Sequence, residues 1–408
     1  MNPSSRHPLL PDVGVVALVP DTWGLQWQSR HHVLSRLARY YQVVWMNPAL
    51  EWRQALRRSS SDQSSLPESL SSFFVYDHER WLPKFYRPSW LARWTERLRF
   101  KRAAAVLRRA GCKKIVAYVW RPEFAEALDA GGFDLSCYHI DDEYSFSSDE
   151  QPIPDNELRL LRHAGQVFIH SPAMMNHKGR FNPRTLHVPN GVDFAAFARP
   201  APEPRDLVTI PHPRVGYSGW LKRQLDWDLL LRIARSRPEW HFIFVGGVSH
   251  QRELSHAIEK MKSLPNAYFL GGKTTREMAA YPQHFDICIL PYRSDNYTKY
   301  IYPLKMHEYL AGGRPIVSTR LPAVEALGAC DGMAETPEEW EGAISNALRP
   351  EANTAESKLV RQGIAKAHDW EVLVLRIATA MAERLGASYA DRLARVAGAL
   401  ERRADSLV

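Results

Sequence analysis

Residues 300–319 read YIYPLKMHEYLAGGRPIVST, and this stretch is the most informative part of the 408-residue sequence. The apolar run at 287–291 predicts a buried strand, and residues 315–318 predict another, so that a helix lies between two strands. Lys305 and Glu308 are three residues apart at the start of that helix, which places both side chains on one face. The order strand, helix, strand is typical of an α/β fold.

The spacing of Lys305 and Glu308 allows them to bind two parts of one ligand. A helix N-terminus and a lysine both favour phosphate, and a carboxylate favours the paired hydroxyls of a sugar. The alternative is an ordinary ion pair at the surface, which the spacing alone permits equally well.

Short apolar segments alternate with amphipathic helices through the rest of the chain, in two similar halves. The first half predicts strands at 13–19, 43–46, 114–119, 133–140 and 167–170, and the second at 214–217, 241–245, 267–270, 287–290 and 316–318. Such alternation indicates parallel βαβ units. We therefore predict an α/β protein of two facing Rossmann-like domains, with a ligand between the carboxyl ends of the two sheets.

Local composition indicates where the domains separate. Prolines concentrated at 200–213 predict a linker, and the Ser-rich stretch 56–71 predicts a mobile loop. We assign residues 1–203 to an N-terminal domain, 204–370 to a C-terminal domain and 371–408 to a helical tail.

Charge and cysteine content narrow the class of protein. The chain has a net charge of +8 at pH 7 and four cysteines without metal or redox spacing. It has no apolar run near the ~20 residues that cross a bilayer, and the short run 13–19 is flanked by Asp12 and Asp21, unlike a signal peptide. We expect a cytoplasmic protein, either free or peripheral on the inner face of the membrane.

The region 81–114 concentrates aromatic and basic side chains. Its aromatic and apolar members are Trp81, Leu82, Phe85, Tyr86, Trp90, Leu91 and Trp94, and its basic members are Arg97, Arg99, Lys101, Arg102, Arg108, Arg109, Lys113 and Lys114. This combination suits an anionic membrane surface beside a lipid-linked acceptor. The alternatives are a solvated helix with core aromatics and, least favoured, a nucleic-acid surface.

A loop with small residues follows the first strand of the second half. Gly216, Ser218 and Gly219 allow backbone N–H groups to approach a phosphate, and Lys222 and Arg223 add positive charge. An ordinary β–α turn is the alternative.

The segment Asp226-Trp227-Asp228 has the spacing of a metal-binding motif. It opens an amphipathic helix, where acidic residues favour the helix dipole, rather than following a strand. We therefore predict no metal site here or elsewhere in the chain.

Three acidic residues, Asp141, Asp142 and Glu143, follow a strand of the first half. A carboxylate at this position can accept a proton from an attacking hydroxyl, and clustered acids can raise one pKa toward neutrality. Asp141 and Asp142, together with Lys305, are the catalytic candidates. An acidic cap at a helix start is the alternative.

Polar residues also lie at other strand ends of the first half. Gln28, Arg30 and His31 open the first helix, and His170 ends a later strand. An arginine suits bidentate phosphate contacts, so we take these four residues as acceptor-side candidates. A pair of surface histidines is the alternative for His31 and its neighbour His32.

The segment HEYLAGGRPIVST resembles the donor site of GT-B glycosyltransferases, in the group that includes bacterial family 4. Further similar segments, in the same order along the chain, are PNGVD at 189–193, GYSG at 216–219, FVGG at 244–247, YFLG at 268–271 and HDW at 368–370. Pro303 and Lys305 before Glu308 make the chain similar to a subgroup of surface-polysaccharide and teichuronic-acid-type transferases. Tyr300 departs from the pattern, because many members have there a second Glu that contacts the donor sugar.

The resemblance implies that Glu308 binds the ribose of a nucleoside diphosphate sugar, by default a UDP-sugar. It places Gly271 and Lys273 beside the base, and we include Tyr302 among the donor-binding candidates. Gly191 is expected to supply a turn conformation that other residues disfavour. The resemblance also implies that residues 1–203 form the acceptor-side domain, that residues 204–370 form the donor domain, and that the C-terminal helix crosses back to the N-terminal domain.

Together these features predict a metal-independent glycosyltransferase with no cofactor beyond its nucleotide-sugar co-substrate. Its acceptor would be a carbohydrate or a lipid-linked molecule in surface polysaccharide or glycolipid synthesis. The alternatives are a sugar-nucleotide epimerase or a phosphorylase on the same fold, or a non-enzymatic basic protein that binds membrane or nucleic acid. The chain shows no motif for the pyridoxal-phosphate lysine that a phosphorylase requires.

Overall fold

The first of two parallel sheets lies in the N-terminal half of the chain. The computed structural model describes residues 7–24, 27–51, 72–77, 81–85, 87–147, 149–249 and 252–395, so the loop predicted at 56–71 lies outside the described residues. The strands of the first sheet are β1 (Leu10–Leu18), β2 (Tyr41–Met46), β3 (Phe73–Tyr76), β4 (Lys114–Val119), β5 (Leu135–Ile140), β6 (Gln166–Ile169) and β7 (Thr185–His187). Their spatial order is β3-β2-β1-β4-β5-β6-β7, with every neighbouring pair parallel.

The second sheet repeats this design in the C-terminal half. Its strands are β8 (Arg214–Ser218), β9 (His241–Val245), β10 (Ala267–Gly271), β11 (Ile287–Leu290), β12 (Ile316–Ser318) and β13 (Gly332–Met333), in the order β10-β9-β8-β11-β12-β13. In both sheets the order reverses beside the first strand, which leaves a ligand-binding crevice at the carboxyl ends of the strands. The predicted α/β class with two Rossmann-like domains is confirmed.

Helices connect the strands and cover the sheets. They are α1 (Ser29–Leu37), α2 (Ser89–Arg109), α3 (Asp155–His163), α4 (Pro172–Lys178), α5 (Phe194–Ala198), α6 (Trp227–Ser236), α7 (Arg252–Lys262), α8 (Thr275–Met278), α9 (Leu304–Ala311), α10 (Pro322–Leu327), α11 (Pro337–Ala347), α12 (Ala355–Ala367) and α13 (Trp370–Leu385). Short 3₁₀ helices cover Pro122–Ala130, Gly179–Phe181, Tyr281–His284, Thr298–Tyr300 and Pro350–Asn353. No helix in the described part of the chain is both long and apolar enough to span a membrane.

Helix α13 returns to the N-terminal domain, as predicted. Leu373 and Ile377 are buried in the same apolar cluster as Val43 of β2 and Tyr118 of β4. Tyr41 donates its hydroxyl proton to the Ala378 carbonyl at 2.6 Å. The end of the chain therefore ties the C-terminal domain to the N-terminal sheet.

The two segments that cross between the domains run side by side. Val192 N–H donates to the His368 carbonyl, and Trp370 N–H donates to the Val192 carbonyl, both at 3.0 Å. A methyl group on Gly191 would lie 2.6 Å from the His368 oxygen. Gly191 does not adopt a positive φ, so the expected turn conformation was wrong. Glycine is required here because the two crossings approach each other closely.

The Pro-rich stretch 200–213, predicted as a linker, packs on the C-terminal domain. Leu207 and Ile210 are buried in the core of that domain. Arg214 donates from its guanidinium to the carbonyls of both residues, each at 2.8 Å. The first crossing lies upstream, because Val188 belongs to the N-terminal core and Val192 to the C-terminal core.

Candidate active site

The loop after β8 and the start of α9 are in direct contact. Gly219 has a φ of +137°, which favours glycine, and a methyl group on it would lie 2.3 Å from Lys305 Cε. Gly246, at φ +146°, carries no side chain for a similar reason, since a methyl group there would lie 2.0 Å from the Gly219 carbonyl oxygen. The absence of side chains in this loop makes room for the Lys305 side chain.

Lys305 and Glu308 form a partly buried pair rather than a surface ion pair. The Lys305 Nζ–Glu308 Oε2 distance is 3.6 Å, and the side chains are 25% and 14% exposed. Glu308 Oε2 is buried and has no hydrogen-bond partner among the described residues. A buried carboxylate oxygen without a partner is costly, and ligand hydroxyl groups would offset that cost.

Tyr309 fixes the position of α9 against the end of β8. Its hydroxyl accepts a hydrogen bond from Ser218 N–H at 2.9 Å. Ser218 Oγ is buried, and within the described ranges it has no hydrogen-bond partner. The β8 loop and the α9 pair therefore form one rigid unit.

The two predicted base-binding residues, Gly271 and Lys273, contact different parts of the C-terminal domain. Gly271, at φ +72°, accepts a hydrogen bond from Gly246 N–H at 2.8 Å and so adjoins the glycine loop. Lys273 instead binds Asp206 at 2.7 Å, and its Nζ lies 5.6 Å from the Tyr281 ring centroid. The Lys273 side chain therefore binds the segment before β8, and among the described residues no ion pair joins it to Glu308 beside Lys305.

Asp141 is held by groups of the N-terminal domain. It accepts hydrogen bonds from Arg30 Nη1 at 2.8 Å, Ser29 Oγ at 3.0 Å and the Tyr144 hydroxyl at 3.1 Å. Burial alone would raise the pKa of Asp141, but the charge of Arg30 and the Ser29 hydrogen bond outweigh it and lower the pKa. Asp141 therefore remains ionised and orients Arg30.

Asp142, the adjacent residue, has the opposite electrostatic setting. Burial, together with the neighbouring charge of Asp141, raises its pKa to about 6. The Tyr297 hydroxyl, from the C-terminal domain, lies 3.0 Å from Asp142 Oδ1 and 3.1 Å from Oδ2. A carboxylate with a pKa close to neutral is suited to accept a proton. The predicted raised pKa belongs to Asp142 and not to Asp141.

Four charged groups from both domains meet in the crevice. Burial is the main cause that lowers the pKa of Lys222. Lys222 is also close enough to Asp142, Lys305 and Arg30 for their charges to act on this pKa. The charge of Asp142 opposes this lowering, and those of Lys305 and Arg30 add to it. Arg30 is already paired with Asp141 and Asp21, so Lys222 and Lys305 can bind an anionic ligand such as a diphosphate.

His31, one of the acceptor-side candidates, lies deeper than predicted. His31 is 1% exposed among Trp23 and Trp45, with ring centroids at 5.4 and 4.6 Å, and burial lowers its pKa to about 4. Gln28 N–H donates to His31 Nδ1 at 3.2 Å, which caps α1. Gln28 Oε1 also accepts a hydrogen bond from Arg30 Nη2. His31 is therefore a core residue of α1, and Arg30 is held by Gln28 and Asp141.

His170 and Tyr302 lie at the contact between the domains. His170 Nδ1 is 3.0 Å from the Ile140 carbonyl and therefore carries the proton, and burial lowers the pKa of His170 to about 4. The Tyr302 ring is 6.3 Å from the His170 ring, and its hydroxyl is 2.9 Å from His307 Nε2. Tyr302 is buried, so the structure shows it as a packing residue.

Arg223 contacts the loop after β5 of the N-terminal domain. Its Nη2 donates to the Phe146 carbonyl at 3.2 Å, and nearby Lys299 Nζ is 3.4 Å from Glu150 Oε2. These contacts hold the loop after β5 against the C-terminal domain. They border a cavity of about 500 Å³ lined by Phe146, Ser147, Arg223, Gln224, Trp227, Leu254, Ala257, Arg293, Asp295 and Tyr297.

The segment Asp226-Trp227-Asp228 caps a helix, as predicted. The Asp226 carboxylate accepts a hydrogen bond from Leu229 N–H at 3.0 Å at the start of α6. Within the described ranges, no group of three or more His, Cys, Asp or Glu side chains is arranged to hold a metal ion.

Two hydroxyl residues of the site, Tyr297 and Tyr309, were not predicted from the sequence. No sequence pattern around Tyr297 or Tyr309 indicates a role in the site. Their partners, Asp142 and Ser218, are distant in the chain.

The two facing parallel sheets, the crevice between them and the returning C-terminal helix define the GT-B class of glycosyltransferase folds. Solved structures agree. Sucrose-phosphate synthase from Thermosynechococcus elongatus superposes with a TM-score of 0.65 at 16% identity, over 90% of this chain and 97% of that chain. HepE from Anabaena, solved in complex with UDP and glucose, superposes with a TM-score of 0.65 at 15% identity, over 91% of this chain and 99% of that chain.

Sequence comparison finds two further similarities, one to a protein family and one to a single relative. Residues 212–349 match the family described as Glycosyl transferases group 1. The chain is also 27% identical over 237 residues to the putative teichuronic acid biosynthesis glycosyltransferase TuaH of Bacillus subtilis. That match covers 55% of this chain and 58% of the relative's length.

Proposed function

We propose that the protein transfers a sugar from a nucleoside diphosphate sugar to an acceptor hydroxyl. One observation carries the proposal: Lys305 lies against Gly219 beside a Glu308 carboxylate whose buried Oε2 accepts no hydrogen bond from the described residues. A diphosphate beside Lys305 and a ribose diol on Glu308 would use both groups at once. UDP is the nucleotide we favour, because HepE was solved with UDP and glucose.

The leaving diphosphate is stabilised by protein charges in this proposal. Negative charge builds up on the diphosphate as the bond to the sugar breaks, and we place Lys305 and Lys222 beside it. The N-terminus of α9 adds partial positive charge. The proposed reaction therefore requires no metal ion and no cofactor beyond the nucleotide sugar.

Asp142 is the residue we assign to the acceptor hydroxyl. With a pKa of about 6 it is largely ionised at neutral pH and can accept a hydrogen bond or a proton from the attacking group. Asp141 acts indirectly, because its three hydrogen bonds hold it to Arg30, Ser29 and Tyr144.

The acceptor class we propose is a carbohydrate or lipid-linked sugar of surface polysaccharide or glycolipid synthesis. The similarity to TuaH supports this assignment. The reaction would take place in the cytoplasm or at the inner face of the membrane.

Donor hydrolysis tests the proposal without knowledge of the acceptor. The full chain is incubated with a panel of UDP-, GDP-, ADP- and dTDP-sugars, with and without EDTA, and products are followed by NMR. We expect one donor class to release nucleoside diphosphate and free sugar, equally in both conditions. Conversion to an epimeric nucleotide sugar would support an epimerase instead. Failure of every nucleoside diphosphate to bind in calorimetry would reject the donor site.

A further inference from the structure

Helix α2 has one face in the N-terminal core and an opposite face in solvent. Phe100, Ala103 and Leu107 are buried in the apolar cluster that includes β1 and β4. Arg99 also points inward, where it donates to the Asn47 carbonyl at 2.7 Å. Part of the basic region identified in the sequence is therefore internal, and only the outer face can meet a partner.

The outer face of α2 starts with tryptophans and continues with cations. Trp90, Trp94, Arg97, Lys101 and Arg108 recur at intervals of four, three, four and seven residues, which places them along one side of a helix. Trp90 is 63% exposed and Trp94 is 53% exposed. Large aromatic side chains exposed side by side to this extent usually mark an interaction surface.

A third tryptophan extends this surface beyond the helix. Trp81, which precedes α2, is 60% exposed, and the Arg102 guanidinium lies 5.1 Å from its ring centroid. The three exposed indoles combine an apolar ring with an N–H group, which suits the boundary between lipid headgroups and acyl chains.

The positive charges of this face are only weakly compensated by their neighbours. Arg97 is 3.8 Å from Asp129, but both side chains are about two-fifths exposed, so water screens the pair. Arg108 Nη2 donates to the Gly132 carbonyl at 3.0 Å, a neutral partner. Lys101 is exposed. The face therefore presents positive charge next to exposed indoles.

We propose that the outer face of α2, with Trp81, docks the N-terminal domain on an anionic lipid bilayer. The tryptophans would enter the headgroup boundary while Arg97, Lys101 and Arg108 contact lipid phosphates. The exposed indoles beside the cations suit the lipid–water boundary, whereas nucleic acid is held mainly through its phosphates, so a membrane fits better. The inference concerns the acceptor side of the proposed function, because lipid-linked acceptors lie at such a surface.

Vesicle co-sedimentation tests the docking face independently of catalysis. The full chain is mixed with phosphatidylcholine vesicles, with and without phosphatidylglycerol, at low and high salt. We expect binding only with the anionic lipid, and weaker binding at high salt. Replacing Arg97, Lys101 and Arg108 with Gln should lower partitioning about 100-fold, since each cation near the surface contributes about fivefold. Replacing Trp90 and Trp94 with Ser should also weaken it.

A matched charge variant provides the control. Arg232, Arg235 and Lys260 are exposed on the C-terminal domain, and replacing them with Gln removes the same charge. This variant should bind vesicles as the wild type does, and all variants should keep their circular dichroism spectrum and donor hydrolysis. Equal loss in both triple variants, no wild-type binding to anionic vesicles, or binding to an RNA oligomer but not to vesicles would each overturn the proposal. None of these outcomes affects the donor-site test.

Discussion

The hydroxyl of Tyr297, in the C-terminal domain, is hydrogen-bonded to the carboxylate of Asp142, in the N-terminal domain, at 3.0 and 3.1 Å to its two oxygens. This contact joins the domains at the residue we assign to the acceptor hydroxyl. Because the bond favours the ionised carboxylate, it opposes the rise in the pKa of Asp142 that burial and Asp141 cause.

Removing that hydrogen bond should shift the pH dependence of activity. In Tyr297→Phe the pKa of Asp142 should rise above about 6, so the carboxylate is protonated at higher pH. Activity should fall more at pH 6 than at pH 8, and the acidic limb of the kcat/KM profile should move upward. A uniform loss at all pH values would instead indicate that Tyr297 only aligns the domains.

The ribose role of Glu308 predicts a loss of nucleotide affinity. Glu308→Ala removes a charged hydrogen-bond acceptor, which contributes roughly 1.5–3 kcal/mol, so UDP should bind at least about tenfold more weakly. Calorimetry measures this directly. Glu338→Ala, an exposed glutamate of α11, should bind UDP normally. Unchanged affinity in a folded Glu308 variant would refute the ribose role.

Lys305 should contribute mainly to turnover. Lys305→Ala removes a cation from the forming diphosphate and should lower kcat by about 100-fold at saturating donor. Lys305→Arg keeps the positive charge and should restore activity, but only in part, because the planar guanidinium group places that charge differently from an ammonium group. Lys273→Ala is the control, since Lys273 binds Asp206. If the Lys305→Ala variant kept wild-type turnover, leaving-group stabilisation by this residue would have to be abandoned.

The buried ion pairs of Lys178 should support the loop that carries Asp142. Lys178 is 1% exposed, and its Nζ is 2.7 Å from Glu157 and 2.9 Å from Glu143. Lys178→Met leaves both carboxylates without their cation and should lower the free energy of unfolding by ~3–5 kcal/mol.

Urea denaturation of the Lys178→Met variant measures this loss. Lys262→Met breaks an exposed pair with Glu259, 3.0 Å apart, and should cost at most about 1 kcal/mol. Similar losses in the two variants would show that the buried pair has no special importance.

The close approach of the two domain crossings should make Gly191 intolerant of a side chain. In Gly191→Ala the added methyl group would lie 2.6 Å from the His368 oxygen and should destabilise the fold by about 1–3 kcal/mol. Gly342→Ala in α11 is the matched control, because a methyl group there meets no atom within 4 Å. It should be neutral or slightly stabilising, since alanine favours helix. Thermal unfolding should therefore distinguish the two variants.

The repeating pattern of strands and helices was readable from the sequence, because burial on both faces of parallel strands requires continuous apolar runs. Strands β3, β7 and β13 were missed, and each is an edge strand whose residues are mostly half-buried. The pairing of Lys305 with Glu308 was also predictable, since three residues in a helix always bring side chains to one face.

The sequence alone determined the fold class and the local Lys305–Glu308 pair, because periodicity and helical spacing act over a few residues. The returning C-terminal helix was expected only from the resemblance to GT-B glycosyltransferases. Only the tertiary structure decided that Asp141 is held ionised by Arg30 while Asp142, its neighbour, has a raised pKa under the hydroxyl of Tyr297. It also decided that Lys273 is bound by Asp206 and that Arg99 points inward. The physical reason is that charge, burial and hydrogen bonding depend on groups brought together from distant parts of the chain, and no local pattern records those partners.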